Sequence, residues 1–96
     1  MAVTIGIDPN KGSHTAVALD EHEAALGQMR VRSGPDQLAR LCGWAKAWPA
    51  RTWAAENASG LGYLVSQELV GADDKVLDVP LPRQGPLRRL QRLGAR

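Results

Sequence analysis

The stretch that decides the fold is VTIGIDPNKGSHTAVALD, residues 3 to 20. Apolar residues occupy every second position at its start, which is typical of a short β-strand bordered by turn residues. This strand ends at Asp8, directly before the turn PNKG. A second alternating run, residues 13–19, follows the Gly-containing turn, so the stretch predicts a β-hairpin.

Two interpretations of Asp8 follow from this position. A carboxylate at the exposed end of a buried strand is held rigidly yet reaches solvent, which suits a metal ligand or a general base. Alternatively, Asp8 only starts the turn, through hydrogen bonds between its side chain and the nearby backbone. In the same hairpin, Lys11 either faces a phosphate or is a solvated turn lysine. His14 either lies near Asp8 as a ligand or is a surface histidine, and we expect the surface position.

Composition limits the class of protein. The 96 residues allow one domain or a piece of a larger one, and 44% hydrophobic with 23% charged residues is ordinary for a soluble globular protein. No apolar run is long enough to span a membrane, and the N-terminus does not resemble a secretory signal. The single cysteine, Cys42, excludes an internal disulfide framework. We therefore expect a cytoplasmic protein without a membrane partner.

Charge is divided unevenly along the chain. Residues 83–96 hold five arginines and no acidic residue, whereas residues 1–82 hold seven basic and ten acidic residues. We expect residues 83–96 to be a basic tail, disordered or a short helix, and residues 1–82 to be the folded part. The tail either binds nucleic acid through phosphate contacts of Arg88, Arg89 and Arg92 or is merely solvated.

The sequence beyond the hairpin predicts three more strands and two helices. These are a strand at about 25–32, a helix at about 36–48 ended by Pro49, a strand at 51–56, a helix at 61–70 closed by Gly71, and a strand at 75–79. The order is β-β-β-α-β-α-β, and its last three strands imply parallel pairing through right-handed crossovers. The predicted fold class is α/β, a three-stranded antiparallel meander continued by parallel strands, with helices on the faces of the mixed sheet.

Helical spacing also predicts the core and the caps. Trp44, Trp48 and Trp53 have the spacing of core residues, and Leu64 falls on the apolar side of the second helix. Ser33 or Asp36 is expected to cap the first helix with its side chain. The segment Asn57-Ala58-Ser59-Gly60 opens the second helix with capping residues, or offers backbone N–H groups to a phosphate.

Two carboxylates stand at strand ends, Asp8 after the first strand and Glu56 after the fourth. If these strands are adjacent and parallel, both acids lie at the edge of the sheet where α/β proteins bind ligands. Two carboxylates there repel each other, and a hard cation such as Mg²⁺ relieves the repulsion. A pair of such ions about 4 Å apart can clamp both reacting oxygens of a phosphodiester. This arrangement predicts nuclease-type chemistry.

Two blocks of the sequence resemble the DEDD transposases of insertion sequences. The blocks are GIDPNKGSHTAVALDEHEAALGQMRV and WAAENASGLGYLVSQELVGADDKVLDVP, in the family's order, and they span about residues 3–80. The resemblance implies a RuvC-like, RNase H-like fold and matches Asp8 and Glu56 to the first two acids of the catalytic tetrad. It also implies Mg²⁺-dependent DNA cleavage and strand exchange, a structured guide RNA as a partner, and a homo-oligomer in the full-length family member.

The sequence departs from the family pattern after the fifth strand. The family completes its tetrad in a K-T-D-x-x-D-A-like stretch, but here no Asp or Glu follows Asp78. The tail LPRQGPLRRLQRLGAR does not resemble the family, and its Arg, Gly and Leu bias suits out-of-frame reading of GC-rich DNA. We therefore expect an incomplete RNase H-like domain, truncated or frameshifted, that does not cleave DNA alone.

Two other functions fit parts of the sequence. ATP-binding proteins of the actin and sugar-kinase fold also open with a strand carrying G-I-D and a hairpin. The turn PNKG is a poor match to their Gly-rich phosphate loop. The third interpretation is a small non-catalytic domain whose basic tail binds nucleic acid, and strongly salt-dependent DNA binding without a metal effect would favour it.

Overall fold

The fold is seen in a computed structural model that describes residues 2–56, 60 and 62–79. The described elements, in chain order, are β1 (Val3–Pro9), β2 (Ser13–Leu19), β3 (Ala25–Arg32), α1 (Gln37–Ala45), β4 (Arg51–Glu56), α2 (Tyr63–Gly71) and β5 (Val76–Val79). This is the predicted order. The predictions for residues 57–59, Leu61 and the tail, including Arg88, Arg89 and Arg92, lie outside the described residues.

One mixed sheet holds all five strands in the order β3-β2-β1-β4-β5. The strands β1, β2 and β3 pair antiparallel, and β4 pairs parallel with both β1 and β5. The predicted meander and its parallel continuation are therefore confirmed. Because β1 is the central strand, it is hydrogen-bonded on both edges, antiparallel to β2 and parallel to β4.

The main buried cluster lies on one face of this sheet, and Val17, Leu19 and Ala54 are buried on the other. Ile7 pairs with Ala16 of β2 and Ala55 of β4. Because paired residues share a face of the sheet, the alternation seen in the sequence determines which side chains point into this cluster. Both α1 and α2 pack on this face. Its buried cluster consists of Val3, Ile5, Ile7, Ala16, Ala18, Val31, Leu41, Ala45, Trp53, Val65 and Leu69.

The first helix ends earlier than the apolar spacing predicted. It stops at Ala45, three residues before Trp48. The Ala45 carbonyl instead accepts hydrogen bonds from the Trp48 backbone N–H at 2.9 Å and from Nη1 of Arg51 at 3.2 Å. Arg51 also donates to the Trp48 carbonyl and forms an ion pair with Asp74, its Nε 3.0 Å from the carboxylate. This half-buried arginine therefore donates to backbone carbonyls that would have accepted hydrogen bonds within the helix if it had continued.

The tryptophans of this region cover the edge of the core rather than its centre. Trp44 and Trp48 are half-buried and meet edge to face, with ring centroids 4.9 Å apart. The Trp48 ring lies over Gly27 of β3, where an added Cβ would come within 3.2 Å of it. Gly27 therefore leaves the space that this ring fills, whereas Trp53 is fully buried.

Three details of the helices differ from the sequence predictions. Asp36 is at the N-cap position of α1 but makes no side-chain cap hydrogen bond, and the Ser33 hydroxyl bonds elsewhere. Gly71 is the last residue of α2, and Ala72 follows as its C-cap. Leu64 is 61% exposed, because the buried side of α2 is formed by Val65 and Leu69. In the part of the chain that the structure describes, neither helix has the length and apolar character needed to cross a membrane.

The central position of β1 predicts where the fold is most sensitive to substitution. Ile5→Val removes one buried methylene from a residue with no solvent exposure and should lower the free energy of unfolding by about 0.5–1.5 kcal/mol. Leu64→Ala removes more atoms from an exposed residue and should change it by less than about 0.5 kcal/mol. Urea unfolding followed by circular dichroism measures both. A larger loss for Leu64→Ala than for Ile5→Val would contradict this assignment of the core.

Candidate functional site

The carboxyl ends of β1 and β4 lie side by side. The last residue pair between these strands is Ile7 with Ala55, and the next residues along each strand are Asp8 and Glu56. Neighbouring strands are about 4.8 Å apart. The condition that the sequence argument required, adjacent and parallel strands, is therefore met.

Asp8 is held by the sheet but not used by the turn. It is half-buried and pairs with Thr15 of β2. The turn is closed by the Asn10 backbone N–H, which donates to the Ser13 carbonyl at 3.0 Å, and by the Asn10 amide, 3.5 Å from the Asp8 carbonyl. Within the described residues, the Asp8 carboxylate accepts no hydrogen bond. It is free to take another partner.

Asp20 is an instructive contrast, since it does have the turn-forming role considered for Asp8. Its Oδ1 accepts hydrogen bonds from the backbone N–H groups of His22 at 2.8 Å and Ala24 at 2.9 Å. These two bonds, Ala24 first, lower the pKa of Asp20 below its ordinary value. The two aspartates lie at the carboxyl ends of successive strands, Asp8 one residue before the end of β1 and Asp20 directly after β2, but only Asp20 uses its carboxylate to hold the backbone.

A third acid belongs to the same edge of the sheet. Asp78 lies in β5, where it pairs with Ala55, and Val79 pairs with Glu56. In the sequence, Asp78 was noted only as the last acid of the chain, because its place beside Ala55 depends on the parallel pairing of β4 with β5. Among the described residues, no three His, Cys, Asp or Glu side chains form a metal-binding group.

The donor chemistry at this edge fits Mg²⁺ nevertheless. Such ions are commonly held by one or two carboxylates together with substrate phosphates and water. Asp8 offers a half-buried carboxylate without a hydrogen-bond partner in the described part of the chain, and Glu56 occupies the neighbouring position. These are the two residues that would hold the cation.

The prediction of a surface position for His14 is wrong. His14 is 5% exposed, because it pairs with Pro9 and Val31 on the face that the helices cover. Its Nε2 lies 3.2 Å from the Ser33 hydroxyl, and its Nδ1 has no hydrogen-bond partner among the described residues. Asp8 lies on the opposite face, since successive residues of a strand alternate. His14 is therefore not positioned to share a ligand with Asp8.

Burial decides the protonation of His14. Loss of solvent lowers its pKa below the ordinary value, and this effect exceeds the opposing influence of Gln37, Asp8 and Glu68. Gln37 is itself buried, and its amide donates to the Glu68 carboxylate at 2.6 Å. The imidazole is consequently neutral in the folded protein at neutral pH, as part of a polar contact between the sheet and both helices.

Lys11 and Cys42 are two further candidate residues. Lys11 is exposed in the turn after Asp8, so its ammonium is available to a ligand near the strand end. Cys42 is half-buried on α1, and burial, followed by the nearby Asp74 carboxylate, raises the pKa of its thiol. A thiol with a raised pKa is a poor nucleophile at neutral pH.

Comparison with known proteins identifies the fold. No protein-family model and no curated protein matches the chain. Among solved structures, it is similar to the crystal structure of the large terminase nuclease from thermophilic phage G20c, with a TM-score of 0.61 and 18% sequence identity. The match covers 83% of this chain and 44% of the nuclease chain, so this chain spans less than half of its length.

At this level of identity the likeness concerns the fold alone. The mixed sheet of five strands with two helices is compatible with an incomplete RNase H-like fold, as the sequence resemblance implied. The assignment to insertion-sequence transposases stays a prediction.

The buried histidine predicts a pH dependence of stability. Because the pKa of His14 is lower in the folded than in the unfolded chain, the unfolded chain binds more protons as the pH falls through about 6.5. Stability should therefore decrease between about pH 7 and pH 5. His14→Gln should reduce this decrease, and His22→Gln, at an exposed turn residue, should leave it unchanged. Urea unfolding across this range measures the slope. An unaltered slope in His14→Gln would contradict the assignment.

Proposed function

We propose that this chain is part of a metal-dependent nucleic-acid-cleaving domain in which Asp8 and Glu56 hold a divalent cation. The single observation that supports it is the parallel pairing of β1 with β4, which ends at Ile7 and Ala55 and leaves the two acids as neighbours. The likeness of the fold to a protein described as a nuclease is a second support.

The state of the Asp8 carboxylate is consistent with this role. Asp8 lies near the carboxyl end of the central strand, pairs with Thr15 of β2, directly follows the last residue paired with β4, and is half-buried. A carboxylate held this way loses little freedom when it binds a cation. Its hydrogen-bonding capacity is unused by the described residues, whereas that of Asp20 is spent on the backbone. Asp8 is thus the acid that a ligand would complete.

The chemistry proposed is hydrolysis or transfer at a phosphodiester. A bound divalent cation supplies Lewis-acid stabilisation of the phosphoryl oxygens and acidifies a bound water. Asp8 would contact each ion of a two-ion site, and Glu56 would help to hold one. Lys11, exposed beside Asp8, would lie against a neighbouring phosphate.

We propose more specifically that the domain belongs to a DEDD transposase that acts on DNA, with strand exchange and a guide RNA. It rests on the two sequence blocks that begin with GID and WAAEN. In the same proposal, residues 1–82 form the N-terminal part of the catalytic domain and residues 83–96 a separate basic tail.

Calorimetric titration with Mn²⁺ tests the proposed metal site. Asp8→Asn should weaken the binding by about tenfold or more, because it removes the charge of a direct ligand. Glu56→Gln should weaken it in the same direction. Asp20→Asn is the matched control, since it makes the same chemical change at a carboxylate that serves a turn. Equal affinities for the wild type and Asp8→Asn would contradict the proposal.

A plasmid-nicking assay tests the further prediction that this chain does not cleave DNA alone. The 96-residue chain contains only two acids that match the tetrad, and a pair of ions is poorly held by two carboxylates. We expect no Mg²⁺-dependent nicking above the level of Asp8→Asn. Nicking that Asp8→Asn abolishes would show that the two acids suffice.

A further inference from the structure

An arginine-lined groove lies at the outer edge of the sheet, beside the carboxyl end of β1. It consists of two adjoining cavities of about 420 Å³ and 750 Å³ that share Arg32 and Arg40. The larger cavity is lined by Asn10, Gly12, Ser13, Arg30, Arg32 and Arg40. We call Arg30, Arg32 and Arg40 the arginine groove. It brings together the end of the edge strand β3, the turn after Asp8 and helix α1.

The charges of the arginine groove are not explained by folding. All three arginines are exposed, and none of them forms an ion pair with another described residue. Arg30 is held in place by a hydrogen bond from its Nε to the Ser13 hydroxyl at 3.1 Å. One acid, Asp36, lines the smaller cavity. Three guanidinium groups around a shared opening repel one another and are stabilised by an anion.

The position of Arg30 relates the groove to the proposed metal site. Asp8 pairs with Thr15, and Thr15 pairs with Arg30, so the three residues form one row across β1, β2 and β3. Paired residues share a face, and this is the face opposite the helices. Two strand spacings of about 4.8 Å separate Asp8 from Arg30 by about 10 Å. Measured along the axis of a B-form duplex, that span covers about three phosphates of one strand, at roughly 3.4 Å each.

The lining of the groove indicates which part of a nucleic acid it would contact. Arginines, small polar side chains and turn backbone line it, and no aromatic side chain is among the lining residues that the structure describes. Stacking on bases needs aromatic surfaces. Guanidinium groups bind phosphate oxygens, often with two hydrogen bonds at once.

We propose that the arginine groove binds the phosphate backbone of a DNA strand and guides it across the sheet to Asp8. This inference rests on the proposed function, because it takes the strand end at Asp8 as the reacting centre. Binding in the groove is independent of DNA sequence and needs no metal ion, and it is distinct from the binding expected of the tail arginines.

Fluorescence anisotropy with a short labelled DNA duplex, in EDTA, tests the groove at about 50–200 mM salt. The variant R30Q/R32Q/R40Q should lower the slope of log K against log salt by about 3, and R32Q alone by about 1. The matched control R88Q/R89Q/R92Q removes the same charge from the tail. Circular dichroism checks that each variant is folded. If the triple variant is unfolded, the single substitution R32Q, at an exposed residue, still tests the groove.

The outcomes separate this inference from the proposed function. Loss of the slope in the groove variants, with a smaller loss in the tail variant, supports the groove. An unchanged slope in R32Q and R30Q/R32Q/R40Q, or a slope lost only in the tail variant, overturns it. Because EDTA removes the metal, groove binding can persist in a protein whose Asp8→Asn variant shows no change in Mn²⁺ affinity. The proposed function would then fail while the groove stands.

Discussion

The double pairing of the central strand β1 is the constraint on which the rest of the structure depends. Ile7 is fixed against Ala16 on one edge and Ala55 on the other, in opposite strand senses. A slip of one residue on either edge would move every side chain of β1 to the other face. The buried cluster under the helices forbids such a slip, because Ile5 and Ile7 would be exposed. The same register that buries these isoleucines keeps Asp8 near the carboxyl end of β1, on the face opposite α1 and α2.

The two faces of the sheet have separate tasks. The face with the helices is closed by apolar side chains and by a small polar contact in which His14 of β2 meets Gln37 of α1, whose amide donates to Glu68 of α2. The other face carries the row from Asp8 through Thr15 to Arg30, and the two Arg side chains of β3 lie on it. Negative charge therefore lies at the centre of the sheet and positive charge at its outer edge. A polyanion that approaches a cation at Asp8 would find its flanking phosphates opposite the arginines.

The fold was predictable where local pattern and turn chemistry agree. Strand alternation in VTIGI and SHTAVAL, together with PNKG between them, was enough to predict the hairpin, and the β-α-β-α-β remainder implied parallel pairing. The end of α1 was not predictable, because it depends on Arg51, a residue outside the helix that donates a hydrogen bond to the Ala45 carbonyl. His14 was misplaced for a similar reason. A strand position at the edge of a turn looks exposed in sequence, and only the packing of α1 and α2 buries it.

The candidate site was predictable in part. Asp8 and Glu56 could be named from their places after strands, since adjacent parallel strands end at one edge. The arginine groove could not be found this way, because Arg30, Arg32 and Arg40 come from two elements and meet Asn10 and Ser13 only after the antiparallel register is known. Asp78 likewise reaches this edge only through the pairing of β5 with β4.

The central claim is that Asp8 and Glu56 jointly hold a divalent cation. Anomalous diffraction at the manganese edge, from crystals of the 96-residue chain grown with Mn²⁺, tests it most directly. We expect a peak at the carboxyl ends of β1 and β4, roughly 2 Å from an oxygen of each carboxylate. A well-ordered Asp8 and Glu56 with no peak between them, or a peak at Asp73 and Asp74 instead, would contradict it.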